Sequence, residues 1–225
     1  MERTAIVSGG TGGLGGAVTQ ALVEDGWRVV VPYRDEKKLA GAPTHERLEY
    51  VAADLFETGG ALDAVARAPG RLGALVNLVG GFSAPGRVHE TSIEDFERQF
   101  RVNLRPAYLL CHAAIPRMLD DGGAIVCVST RAAVRPFSGA AGYISSNAAV
   151  LAFVDALAAE YTNDGIRANA ILPSVIDTPA NRAAEPDADH SRWVAPAAIA
   201  RVISFLCSDA SQATSGAHIP VYGRA

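Results

Sequence analysis

Short β-branched runs alternate with longer amphipathic or alanine-rich stretches along this chain. The runs Ala5-Ile6-Val7, Val29-Val30-Val31, Ala74-Leu75-Val76 and Ile125-Val126-Cys127-Val128 are apolar without alternation. Strands buried on both faces of a parallel sheet require that pattern. Strands are expected near 3–8, 28–32, 48–52, 73–78, 123–129, 166–171 and 217–221, and helices over 13–25, 35–40, 57–67, 92–119, 142–162 and 196–207. Thr91 or Ser92 is suited to cap the fourth helix, with Glu94 and Asp95 in its first turn. A βαβαβ series of this kind implies a doubly wound α/β sheet of about seven parallel strands, helices on both faces and right-handed crossovers. A single domain is expected over 1–225, without repeat or linker. The stretch 179–195 stands apart: it is polar, carries Pro179 and Pro186, and has no strand pattern. Loops past the strand C-termini face the ligand in such sheets, so this stretch is expected to be a substrate lid.

Composition narrows the class without naming a function. The 225 residues are 49% apolar and 20% charged, an ordinary globular profile. The formal charge is −4 with no basic block, which argues against nucleic acid and anionic membrane as partners. No apolar run approaches the roughly 18–20 residues of a membrane-spanning helix. The opening Met1-Glu2-Arg3-Thr4 leads straight into the first strand, so no signal peptide is expected. Cys111, Cys127 and Cys207 lie far apart in apolar segments and read as buried thiols in a reducing cytoplasm. The scattered histidines offer no metal spacing, and no metal is expected.

The first chemical signal is a glycine loop. Ser8-Gly9-Gly10-Thr11-Gly12-Gly13-Leu14-Gly15-Gly16 follows the first strand and opens a helix. Glycines there permit a tight turn and let backbone N–H groups approach a pyrophosphate at the positive helix end. Strand before and helix after make this a Rossmann-type dinucleotide loop. Two registers overlap, GxxxGxG at Gly9, Gly13 and Gly15, and GxGxxG at Gly10, Gly12 and Gly15.

The GxxxGxG register resembles that of the short-chain dehydrogenase/reductase family, and further matches follow in order over nearly the whole chain. Ala53-Asp54-Leu55 is similar to the family's adenine-contacting segment, and Asn77-Leu78-Val79-Gly80 to the turn after its fourth strand. Val102-Asn103-Leu104 resembles the helix segment that carries its catalytic asparagine. Ile166 to Pro173 resembles the late strand, with Pro-Ser for the usual Pro-Gly, and Thr178 falls at a cofactor-contacting threonine. The resemblance therefore implies cofactor contacts from Gly9, Thr11, Gly13, Leu14, Gly15, Tyr33, Arg34, Asp54, Leu55, Asn77, Gly80, Pro173, Ile176 and Thr178.

At the end of the second strand, a carboxylate accepts from a free ribose 2′-hydroxyl, whereas an arginine neutralises a 2′-phosphate. The chain reads Val31-Pro32-Tyr33-Arg34-Asp35, with Tyr33 at the usual acidic position and Arg34 at that of the phosphate-binding base. NADP is favoured. NAD stays open, because Thr11 adds no charge to the glycine loop and Asp35 lies near enough to take the ribose.

The family reduces carbonyls with a tyrosine as proton donor, a serine that polarises the carbonyl, and a lysine four residues after the tyrosine. Tyr143 is the matching tyrosine, Thr130 precedes it by the family's interval of 13, and Asn103 matches the asparagine. Thr130 keeps the hydroxyl donor and adds a methyl. Position 147 departs from the pattern, since asparagine stands where the lysine belongs. Helical spacing puts Asn147 beside Tyr143, with an amide able to bond a ribose hydroxyl but no charge. A neighbouring cation shifts a pKa by about 1–3 units, so its loss should leave the phenol nearer its ordinary value and slow catalysis tenfold to thousandfold. Arg131 or Arg135 could supply the missing charge, or the substrate could need little acid help.

The segments 177–182, 186–189 and 191–193 are similar to the lid of dihydropteridine reductases, although Tyr33-Arg34 and Asn147 depart from those enzymes. Phe82, Phe137 and Trp193 are candidate walls of an aromatic-tolerant pocket. The expected activity is hydride transfer from a nicotinamide cofactor to a carbonyl or imine of a small molecule. A cofactor-binding sensor or inactive partner, and a non-redox reaction on the same fold, remain alternatives. The family also implies a homodimer or homotetramer, paired through the long helices 92–119 and 142–162.

Overall fold

The computed structural model describes residues 3–224; Met1 and Glu2, on which the reading of the N-terminus partly rests, and Ala225 lie outside it. Seven strands form one parallel sheet: β1 (Arg3–Ser8), β2 (Arg28–Tyr33), β3 (Leu48–Ala52), β4 (Arg71–Asn77), β5 (Gly123–Val128), β6 (Ile166–Pro173) and β7 (His218–Val221). Their spatial order is β3-β2-β1-β4-β5-β6-β7. The winding reverses at β1, where a crevice opens past the strand ends.

Side chains alternate between two apolar layers, which accounts for the uninterrupted apolar runs. Ile6 and Val30 face α2 (Thr58–Ala66), α4 (Arg105–Ala114) and α5 (Ala141–Tyr161). Ala5, Val7, Val29 and Val31 face α1 (Gly13–Glu24) and α7 (Pro196–Cys207) on the other side. Burying each such side chain contributes about 1.5–3 kcal/mol, so both faces stabilise the sheet.

Three expectations need correction. The helix expected over 92–119 is broken: α3 (Ile93–Asn103) and α4 meet at Leu104. Pro106 causes the break, because it lacks an N–H and its ring clashes with the preceding turn. The helix expected over 35–40 is one 3₁₀ turn, Glu36–Leu39, whose N-terminus Asp35 caps by accepting from the Lys37 N–H. Finally, α5 with its following turn, Ala141–Asp164, is long and apolar enough to cross a membrane by length and composition. Those apolar residues have another partner here: Val150, Leu151, Val154 and Leu157 are buried in the core layer.

The stretch 179–195 contains α6 (Pro179–Ala184) and a 3₁₀ turn at His190–Arg192. Ile176 and Val194 form an isolated parallel bridge, so the two ends of this excursion are tied together beside β6. Asp177 and Arg182 add a two-pronged ion pair with one contact of 2.8 Å, which holds the Asp177 carboxyl below its ordinary range.

Candidate active site

The site begins where β1 ends. Gly9 has φ +71°, the left-handed region that glycine alone enters without strain. A Cβ on Gly15 would lie 2.1 Å from the Gly9 carbonyl oxygen, so the loop closes only because that atom is missing. Helix α1 starts at Gly13 with no side chain capping it. Its first N–H groups are thus available to an anion. The loop is a cradle sized for a pyrophosphate, and a dinucleotide fits it. Thr178, 165 positions away, closes the cradle from β6's side, with its methyl 2.9 Å from where a Gly13 Cβ would stand.

The groove continues over β2 and β3. Tyr33 is half-buried, and its carbonyl accepts from the Ala53 N–H at 2.8 Å, which brings Tyr33-Arg34 beside Asp54 and Leu55. The exposed Arg34 guanidinium lies over the Phe56 ring, 5.1 Å from its centre. Asp54 accepts from the Phe56 N–H at 3.0 Å. Asp35 spends one carboxylate oxygen on its cap and stays exposed beside Arg34.

Two asparagines turn their amides into the protein. Asn77 does not offer its amide to the groove: it is buried and donates toward the Cys111 and Cys127 sulfurs at 3.6 and 3.5 Å. These cysteines therefore lie side by side, and the hydrogen bond with Cys127, together with burial, pushes the Cys111 thiol up. Asn103 is also buried. Its oxygen accepts from the Gly81 N–H at 2.7 Å, and its nitrogen donates to Ser146 Oγ at 2.9 Å. It clamps the loop containing Gly80 to α5, placing it as a positioning residue.

Thr130 and Tyr143 come together in one cavity at the head of α5. Burial raises the Tyr143 phenol above its ordinary pKa, and the Thr130 hydrogen bond opposes that shift only in part. No cation contributes. Arg131 and Arg135, candidate substitutes for the lysine, instead lie over the Tyr222 ring, 5.2 and 5.9 Å from its centre. Asn147 is 5% exposed and turns its amide back to the Tyr143 carbonyl at 3.0 Å. That bond ties the Asn147 amide to its own helix beside Tyr143.

A cavity of about 530 Å³ opens over Thr130 and Tyr143, lined also by Phe82, Phe137, Pro173 and Ile176. The Phe82 ring meets Tyr143 edge-on at 5.0 Å. Trp193 packs on His190 at 4.3 Å instead of lining this cavity. Asn181 and Glu185 bring the 179–195 stretch to its rim. Ser129 and Ser146 were missed from sequence: Ser129 Oγ donates to the Asn147 carbonyl, and Ser146 Oγ to that of Tyr143, both at 3.0 Å. The i,i+3 spacing from Tyr143 to Ser146 was the available signal.

Residues 9–223 match a family model described as enoyl-(acyl carrier protein) reductase. The chain is 35% identical over 191 residues to 2-(R)-hydroxypropyl-CoM dehydrogenase of Xanthobacter autotrophicus, covering 80% of this chain and 76% of that protein. Its fold superposes at TM-score 0.92 on a short-chain type dehydrogenase/reductase from Mycobacterium ulcerans, with 27% identity over 100% of this chain and 90% of the other. The 3-ketoacyl-(acyl-carrier-protein) reductase from Brucella melitensis, solved with NADH, superposes at 0.89 with 26% identity, covering 99% and 98%.

Proposed function

The chain belongs to the short-chain dehydrogenase/reductase family and is an NAD(P)-dependent oxidoreductase, and from that premise we propose that it is an NADPH-preferring reductase of a carbonyl or imine. The observation that carries this reading is the Thr130–Tyr143 hydroxyl pair beneath a cavity of about 530 Å³. A bound reduced nicotinamide supplies hydride. Gly9, Thr11, Gly13, Leu14 and Gly15 would hold its pyrophosphate, with Thr178 closing the loop. Asp54, Leu55, Tyr33 and Arg34 would take the adenosine end, and Gly80, Pro173 and Ile176 the nicotinamide end.

The protein's own part is proton chemistry. Thr130 Oγ1 donates to the substrate oxygen or nitrogen as negative charge develops there. Tyr143 Oη gives up its proton to that atom. Phe82 packs edge-on against the phenol ring, and Phe137 adds a further apolar wall to the cavity. With no cation beside it, Tyr143 is a weak acid, which suits an electrophile that is already activated, such as a diketone, quinone or cationic imine. NADPH oxidation against a panel of those three classes tests this, and turnover is expected with at least one. Tight NADPH binding without turnover of any would indicate a cofactor sensor instead.

Arg34 supports the cofactor preference. Its guanidinium sits on Phe56 with its edge free, ready to pair with a 2′-phosphate. Charge-assisted hydrogen bonds contribute about 1.5–3 kcal/mol. Arg34→Ala is therefore expected to weaken NADPH binding roughly 10- to 100-fold and to affect NADH far less. Fluorescence titration of both cofactors measures this; equal losses would remove the basis for the preference.

The buried thiols of Cys111, Cys127 and Cys207 suit a reducing cytoplasm, which we propose as the compartment. Helices α4 and α5, with Tyr108 exposed and packed near Phe153, are the proposed pairing surface of a homodimer or homotetramer. The 179–195 stretch is proposed to close over substrate.

A further inference from the structure

We infer that the substrate cavity contains an anion subsite built by Arg131, Arg135 and Tyr222, and that the substrate joins a carboxylate to an apolar or aromatic carbonyl body. The inference rests on the cavity being a reductase site and names the class of compound reduced there. Both arginines line the same cavity as Thr130 and Tyr143. They occupy successive turns, with the Arg135 N–H bonded to the Arg131 carbonyl at 2.9 Å, so their charges share one wall. Among the described residues, neither guanidinium is within ion-pair distance of a carboxylate. Two neighbouring cations without a counter-ion repel each other, and an anion between them relieves that repulsion.

The wall is also held in shape. Tyr222 provides an aromatic surface under both guanidinium groups, and its carbonyl is fixed by Ser174 Oγ at 2.8 Å. A guanidinium stacked on a ring keeps its in-plane N–H donors free, the geometry that a carboxylate accepts with two oxygens. The cavity also has an apolar lining from Phe82 and Phe137, at 6.5 Å between ring centres. Thr130 and Tyr143 lie in the same cavity. A molecule with its carbonyl at the hydroxyl pair would thus place a ring against the phenylalanines and an acid on the arginines. Glu185 is the opposing charge at the rim, and it disfavours anions without neutralising either arginine.

The test uses 4-acetylbenzoate and its methyl ester, which differ in charge and little in shape. In steady-state reduction with NADPH, the KM for the acid is expected to rise about tenfold more than that for the ester in Arg131→Ala/Arg135→Ala. Arg135→Lys should recover part of the loss, and Glu185→Gln should lower the KM for the acid. Calorimetric titration of the acid into NADP-loaded Tyr143→Phe protein reads binding without turnover, with affinity falling as salt rises. Arginine-dependent binding of the acid without its reduction would keep the subsite, and the reductase reading would then fail only if the diketones, quinones and imines also gave no turnover. Equal losses for acid and ester, or salt-independent binding of the acid, would overturn the subsite.

Discussion

Asn147→Lys is expected to raise the rate of carbonyl reduction tenfold to thousandfold, with NADPH affinity little changed. Burial holds the Tyr143 phenol above its ordinary pKa, and Thr130 supplies the only opposing interaction. A positive charge four residues along the same helix favours the phenolate, so the proton leaves more readily and at lower pH. The pH profile should move with the rate. In the oxidative direction Tyr143 must accept a proton as phenolate, so the wild-type rate should climb with pH into the range above 10. In the lysine variant that rise should begin about 1–3 pH units lower. The lysine must enter a site where Asn147 is 5% exposed and bonded to the Tyr143 carbonyl, so a modest fall in Tm accompanies the gain. Pre-steady-state hydride transfer, measured beside NADPH titration, decides the matter. No gain in a variant that still binds cofactor would mean the site is built for a different reaction.

Tyr143→Phe is the complementary loss. Removing the phenolic hydroxyl takes away the proton donor and leaves the ring, which keeps its edge-on contact with Phe82. General acid catalysis contributes typically 10²–10⁴-fold, and kcat is expected to fall by about that factor. NADPH binding and Tm should stay near the wild-type values, because the hydroxyl's only named protein partner is Thr130. A variant retaining more than about a tenth of wild-type kcat would transfer the proton-donor role away from Tyr143.

Much of this protein was legible in its residue order. Uninterrupted apolar runs such as Val29-Val30-Val31 announced strands buried on both faces, and the winding followed. The glycine loop named its own ligand class, because few other sequences let a helix begin so close to a strand's end. The interval from Thr130 to Tyr143 also brought both side chains to one cavity. Local physics sets these features, since periodicity, missing Cβ atoms and helical spacing act over neighbouring residues.

Contacts between distant segments were decided only by the sheet order. Asn77 sits in a groove motif yet spends its amide on two cysteines 34 and 50 positions away. Asn147 has the spacing of a cofactor ligand, and the fold also bonds its amide to the Tyr143 carbonyl. Arg131 and Arg135, candidates for a missing lysine's charge, lie over the ring of Tyr222 near the far end of the chain. A side chain's direction is settled by whatever the fold packs beside it. Here β6 and β7 bring the last residues of the chain against the loop after β5, and no pattern within either segment encodes that encounter.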